Sequence, residues 1–280
     1  MFAEVGFRLA GGENPLILIP ASIDDRGPYS FILDTGAGTS LISPRLADEL
    51  GIVATDSKEA AGAAGRVTVA LAHVAAIAIG GARRAPMPVA ITAEVDRIGA
   101  AVGTHIDGDV GYDFLKSYRV TIDYRRKLVR LVQGAHDVTN AVPATRSEVA
   151  FRLAAPTKPL VTVPAFVNGR GPYSFIVDTG ASATVLSPAL ADALGIDHAE
   201  NPAMTGAGGM LQTTVGRVAS FSVGAAMLQD LSVVVSDFLE HIGQAVGTTV
   251  DGVVGYNFLR SFRVTIDYPN GVLWLTAAGG

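Results

Sequence analysis

The sequence predicts an all-β chain built as two similar lobes with a few short helices. Three observations carry that reading. The chain is one unit written twice: shifted by 144 positions, residues 5–132 align with 149–276 without a gap, and 57 of the 128 paired positions are identical. Two copies of that length are too few and too long for a solenoid, so the repeat implies a pair of lobes. Most of each copy consists of short alternating or apolar runs bounded by turn residues. Finally, 49% hydrophobic and 17% charged residues describe a chain with a solid core, not a disordered one. The expected organisation is a first lobe over 1–132, a linker over 133–148 containing Gly134, Asn140, Pro143 and Ser147, and a second lobe over 149–280.

The elements follow in order, each seen twice. Phe7-Arg8-Leu9 and Phe151-Arg152-Leu153 open the copies, followed by strands at Leu16–Pro20 and Leu160–Pro164. A Gly-Pro turn at Gly27-Pro28 and at Gly171-Pro172 then leads into an apolar strand, Phe31-Ile32-Leu33 in the first copy, ending at Asp34. Ser43-Pro44 starts a helix, since Ser suits the N-cap and Pro the first helical position, and Gly51 stops it. Ser187-Pro188 to Gly195 repeats this pattern. Val74–Ile79 reads as a strand ending in a Gly80-Gly81 hairpin turn. Phe114–Ser117 and Phe258–Ser261 each suggest one helical turn, giving two small helices per lobe. Arg119–Tyr124 and Arg263–Tyr268 alternate as half-buried strands.

Composition removes several classes of function. A net charge of −5 offers no broad basic surface for nucleic acid, and Arg125-Arg126-Lys127 reads as a solvated turn between strands. The absence of cysteine excludes thiol catalysis, disulfides and Cys-based metal sites. His73, His105, His136, His198 and His241 show no metal-ligand spacing and none recurs between the copies, so they read as surface or hydrogen-bonded structural residues and no metal site is expected of them. No apolar run approaches the roughly 18 residues of a membrane span. Met1-Phe2-Ala3-Glu4 lacks the pattern of a signal peptide and Val5 already begins the first copy. The compartment stays open: periplasmic or secreted if a signal was removed, otherwise cytoplasmic.

The chemistry lies in Asp34-Thr35-Gly36 and Asp178-Thr179-Gly180, the same tripeptide in the same frame of each copy. One such tripeptide alone reads equally as a turn closed by an Asx hydrogen bond. Two, each after an apolar strand and before Ala and another apolar pair, can meet across a pseudo-two-fold axis. Their carboxylates then share a proton, because like charges in close contact cannot both ionise. At this point the chain resembles the aspartic peptidases of the retropepsin and pepsin type. Asp107-Gly108-Asp109-Val110-Gly111 and Asp251-Gly252-Val253-Val254-Gly255 match the later apolar-Gly motif of that family, and the resemblance covers nearly the whole chain.

The resemblance implies an acid-protease fold of two β-barrel lobes, with Asp34 and Asp178 as catalytic residues and no metal or organic cofactor. It implies that Thr35 and Thr179 brace the lobe interface, while Gly36 and Gly180 permit close approach. It places β-hairpin flaps at Gly62-Ala63-Ala64-Gly65 and Gly206-Ala207-Gly208-Gly209, as in retropepsin dimers, although these stretches also read as ordinary surface turns. The implied substrate is an extended polypeptide, and one chain holding both motifs is expected to act as a monomer. Ala37 and Ala181 follow the motifs where pepsin-like enzymes carry a donor hydroxyl. Loss of that donor raises the expected working pH to mildly acidic or near neutral.

The departures from the family leave alternatives. Asp109 stands where its counterpart is Val253 and the family prefers an apolar pocket wall. It either favours a basic side chain or raises the pKa of the pair, or else it pairs with His105 or nearby backbone without a role. Tyr112 and Tyr256 replace the arginine of retroviral members, and Gly38, Thr39, Ser182 and Ala183 replace their acidic residues. Asp107, Asp251, Asp123 and Asp267 read as loop support. A catalytically silent peptide-binding module is the alternative function. An aspartate-based phosphotransferase fails on motif spacing.

Overall fold

The computed structural model describes residues 1–12, 15–62, 65–134, 146–206 and 209–277, with only the backbone described for 61 and 201–206. Strands dominate, and their curled sheets form two lobes on a shared base. The base is a six-stranded antiparallel sheet in the order Phe2–Gly6, Leu128–Val132, Arg119–Asp123, Phe262–Asp267, Val272–Ala277 and Arg146–Ala150. Each repeat contributes half of it. Arg119–Asp123 pairs with Phe262–Asp267 so that Thr121 faces Thr265, its own equivalent, with the two hydroxyls 3.0 Å apart. The pseudo-two-fold axis runs through that pair.

Above the base, each lobe curls its own sheet around buried aliphatic side chains. In the first lobe the short strand Gly108–Val110 lies parallel to Arg26–Leu33 and antiparallel to Leu41–Ile42. In the second, Gly252–Val254 sits in the same way between Arg170–Val177 and Val185–Leu186. The loop bearing each Asp-Thr-Gly runs between two strands that this short strand clamps. The main core spans both lobes and the base, and includes Phe31, Leu33, Val110, Phe175, Val177 and Val254.

The helices at Pro44–Leu50 and Pro188–Leu194 form as expected. The Ser43 and Ser187 hydroxyls accept the backbone N–H of Leu46 and Leu190, and Gly51 and Gly195 close the helices in the left-handed region. Single turns form at Tyr112–Leu115 and Tyr256–Leu259. Three expectations are corrected. Each lobe has a third helix, at Glu94–Ala101 and Phe238–Val246. These helices cover apolar side chains on the outer sheet face: Val95 and Ile98 pack with Leu18 and Ile32, and Leu239 with Ile176 and Val253. The Gly-Pro pairs lie inside strands, with the turns one step earlier at Asp24-Asp25 and Asn168-Gly169, all in the left-handed region. Finally, Val74–Ile79 is two strands, Gly65–Val74 and Ile77–Ile79, because the chain breaks at residues 75–76 to change partners. Among the described residues no helix is long and apolar enough to cross a membrane.

Four tyrosines hold the lobes together beneath the Asp-Thr-Gly loops. Tyr112 meets Tyr268 edge-on at 5.8 Å, and Tyr256 meets Tyr124 at 5.6 Å, so each contact joins opposite copies. The hydroxyls of Tyr124 and Tyr268 are buried without a hydrogen-bond partner among the described residues. An unpaired buried hydroxyl costs about 1–3 kcal/mol, whereas the ring contact needs no oxygen. Tyr124→Phe and Tyr268→Phe are therefore expected to leave the melting temperature unchanged or raise it. Thermal unfolding followed by circular dichroism checks this; a clear loss of stability would show that the hydroxyls are paired.

Candidate active site

Each Asp-Thr-Gly loop is fixed first to its own lobe. The backbone N–H of Asp34 donates to Val110 O at 3.1 Å, and Tyr112 N–H donates to Ala37 O at 2.8 Å. Asp178 to Val254 and Tyr256 to Ala181 repeat both bonds at 3.1 and 2.8 Å. The strand clamped beside the loop thus sets its height.

The two loops are then tied to each other. Thr35 N–H donates to Thr179 Oγ1 at 3.1 Å, and Thr179 N–H donates to Thr35 Oγ1 at 3.0 Å. Each hydroxyl passes its own proton across the interface, Thr35 to Val177 O at 2.8 Å and Thr179 to Leu33 O at 2.6 Å. Both threonines are 1% exposed, so these four bonds are shielded from competing water.

The cross-brace brings Asp34 and Asp178 together, with their carboxyls within hydrogen-bonding reach. Gly36 N–H donates to Asp34 Oδ1 at 2.7 Å and Gly180 N–H to Asp178 Oδ1 at 2.8 Å. Each carboxyl also lies against the glycine of the opposite motif. A Cβ on Gly36 would stand 2.4 Å from Asp178 Cγ, and one on Gly180 would stand 2.7 Å from Asp34 Cγ. Burial, then the charge of Asp34, then their shared hydrogen bond push the Asp178 carboxyl well above the usual aspartate range. One proton held between two half-buried carboxyls is the electrostatic solution to that crowding.

Asp109 joins them. Its backbone sits opposite Ile32 and Leu41, and its side chain is 4% exposed and within hydrogen-bonding reach of Asp34. It does not pair with His105, which lies 2.8 Å from Asp107 at the lobe surface. Val253, the counterpart of Asp109, is buried among Leu160, Ile176 and Val185 in an apolar cluster.

Two supports escaped the sequence reading. The Ser40 hydroxyl donates to Asp113 Oδ1 at 2.6 Å and accepts Gly111 N–H at 3.1 Å, bolting the end of the loop to the turn beyond the clamped strand. In the second lobe Thr184 donates to Asn257 Oδ1 at 2.8 Å and accepts Gly255 N–H at 3.4 Å. The signal lay in the repeat itself: Ser pairs with Thr, and Asp with Asn, so the chemistry is kept while the residues change. Asp107 and Asp251 each accept the N–H of Ser30 and Ser174 at 2.7 Å, which makes them loop supports.

The expected hairpins form at Asp56–Gly62 with Gly65–Val74 and at His198–Gly206 with Gly209–Val223. Gly62 pairs with Gly65 and Gly206 with Gly209. The tips Ala63, Ala64, Ala207 and Gly208 lie outside the described residues. Gly65 and Gly209 have φ of 136° and 140°, a backbone that requires glycine. Helix Glu94–Ala101 of the first lobe packs beside strand His198–Gly206 of the second, and Phe238–Val246 beside Asp56–Gly62. Each hairpin therefore leans on the opposite lobe.

No cluster of His, Asp or Glu suited to a metal ion occurs among the described residues. A half-buried carboxyl pair with a shared proton can serve as base and acid together.

Comparison with known proteins agrees with this architecture. The profile of a family described as aspartyl protease matches residues 19–114 and 163–258, one segment per lobe. Among solved structures, the aspartic proteinase from Irpex lacteus matches with a TM-score of 0.57 at 13% identity, covering 99% of this chain and 97% of that one. At that identity the likeness speaks for the fold alone. A search of curated proteins found no match.

Proposed function

Because the chain belongs to the aspartyl protease family, we propose that it is an endopeptidase that hydrolyses extended polypeptide, acting as a monomer with Asp34 and Asp178 as its catalytic residues. The observation that carries this is the pair of facing carboxyls, each seated on the other motif's glycine.

The chemistry follows from one shared proton. The ionised aspartate takes a proton from water as the water oxygen attacks the peptide carbonyl carbon. The protonated aspartate gives its proton to the carbonyl oxygen, and a neutral tetrahedral diol results. The aspartate that took the water's proton then gives it to the nitrogen as the C–N bond breaks, a diol hydroxyl returns its proton to the other aspartate, and a carboxylic acid and an amine leave. Thr35 and Thr179 hold the loops in register, and Gly36 and Gly180 leave room for the carboxyls. The paired strands Asp56–Gly62 with Gly65–Val74 and His198–Gly206 with Gly209–Val223 would flank an extended strand, the usual mode for peptide held by backbone groups.

The test is hydrolysis of a mixed peptide library across about pH 3 to 8, with and without pepstatin, read by mass spectrometry. Cleavage inside the peptides, blocked by pepstatin and greatest at mildly acidic to near-neutral pH, is expected. Ala37 and Ala181 supply no donor hydroxyl, and Asp178 lies well above its ordinary range, so the shared proton persists toward neutrality. A profile peaking near pH 2 to 3 would contradict the pH assignment. Binding of peptides without cleavage at any pH would favour a silent binding module of the same fold.

A further inference from the structure

Outside the cross-brace and the paired aspartates, the site holds one group that the mechanism above does not use. Asp109 is 4% exposed, it reaches the Asp34 carboxyl, and its Oδ1 has no hydrogen-bond partner among the described residues. The groups that act on it are Asp34, Asp178 and, from the helical turn Tyr112–Leu115, Asp113, all acidic. Its neighbours across the sheet, Ile32 and Leu41, carry no charge.

Resting on the peptidase reading, we infer that Asp109 is a positioning residue: as a neutral carboxylic acid it donates a hydrogen bond to Asp34 and so makes Asp34 the base and Asp178 the acid. A buried carboxyl among carboxyls, with no cation beside it among the described residues, is stable only when protonated. A protonated carboxyl has one O–H to give, and Asp34 is the acceptor in reach. The orphaned Oδ1 fits this state: a neutral carbonyl oxygen tolerates the lack of a partner better than an anionic one. In the second lobe Val253 offers Asp178 nothing comparable. The donor that Ala37 does not provide thus arrives from the adjacent strand, on one side only. Burial, followed by the charge and hydrogen bond of Asp34, indeed push the Asp109 carboxyl well above the ordinary range.

Three proteins test this: wild type, Asp109→Asn and Asp109→Val. Valine is compatible with the position because Val253 occupies its equivalent with the same strand pairing. Donation to ionised Asp34 holds the acid limb of the kcat/KM profile low. The valine variant is expected to move that limb up by about one pH unit and to lose about tenfold in kcat, with KM little changed. The asparagine variant keeps a donor and is expected to stay near wild type in both. Identical limbs in all three proteins would overturn the inference. So would a loss of cleavage beside Lys or Arg with the limbs unmoved, which would make Asp109 a direct contact to substrate.

Thermal unfolding against pH gives a readout free of activity. A carboxyl kept protonated in the fold stabilises below the unfolded value of about 3.9, and that contribution is lost as pH rises through the folded value. Wild-type stability is therefore expected to fall with rising pH more steeply than that of Asp109→Asn. Equal slopes would overturn the inference even if wild type cleaved no peptide, a result that would by itself sink only the peptidase reading.

Discussion

Asp34→Asn and Asp178→Asn are each expected to lower kcat by about 10⁴-fold or more, with the fold intact. Asparagine has the size of aspartate and can neither accept the proton of water nor supply one to a carbonyl. Base and acid act on one proton network, so either change disables both roles. The double variant is therefore expected to be no worse than the single ones, the mark of groups that work as a unit. Stability should move the other way. Asp178 is half-buried in a crowded acidic setting, and a neutral amide removes that repulsion, so the melting temperature of Asp178→Asn should equal or exceed that of wild type near neutral pH. Activity assays beside calorimetry check both halves. Retention of more than about a hundredth of wild-type activity in either variant would remove the aspartates from their assigned roles.

Gly36→Ala and Gly180→Ala carry the second large effect, and it is steric. Cβ atoms at these positions would stand 2.4 and 2.7 Å from the carboxyl carbon of the opposite aspartate. Reaching an ordinary contact of about 3.5 Å requires a shift near 1 Å in the carboxyl or the loop. The cross-braced threonines resist movement of the loop, so the carboxyl is displaced. A misplacement of that size costs on the order of 100-fold in rate, and overpacking costs about 1–3 kcal/mol in stability. Gly38→Ala is the control, because its added Cβ meets only a Pro159 side-chain carbon, at 3.4 Å, and it is expected to remain close to wild type. Equal activity in Gly36→Ala and Gly38→Ala would show that the packing of carboxyl on glycine is unimportant.

The repeat made the two lobes legible, because a gapless 144-residue offset can only be satisfied by two like halves. Helix Pro44–Leu50 was legible because Ser43, Pro44 and Gly51 each do one local job. The third helix was missed although Val95, Ile98 and Val102 stand at helical spacing, as do Leu239, Ile242 and Val246. Neither helix has a side-chain N-cap, since Ala93 and Asp237 make no capping bond, so neither start is marked in the sequence. The Gly-Pro pairs misled because the turn chemistry belongs to the residues before them, plainly so in Asn168-Gly169 and only faintly in Asp24-Asp25. At the site, Asp34, Asp178 and the threonines were visible as a repeated motif. Ser40 with Asp113, and the contact of Asp109 with Asp34, were not, because they depend on which strands become neighbours.

The base sheet has a consequence for how such a molecule can vary. Thr121 against Thr265 is a self-complementary pairing, the kind two identical subunits make across a two-fold axis. In a dimer of identical chains, every substitution appears twice, and an acid at the Asp109 position would face its own copy across the site. Joining the halves in one chain lifts that restriction. It also makes encounter of the halves independent of dilution, since the tether holds each at a high effective concentration about the other. A single added acid beside one of two otherwise matched aspartates is a change that a dimer of identical chains cannot carry.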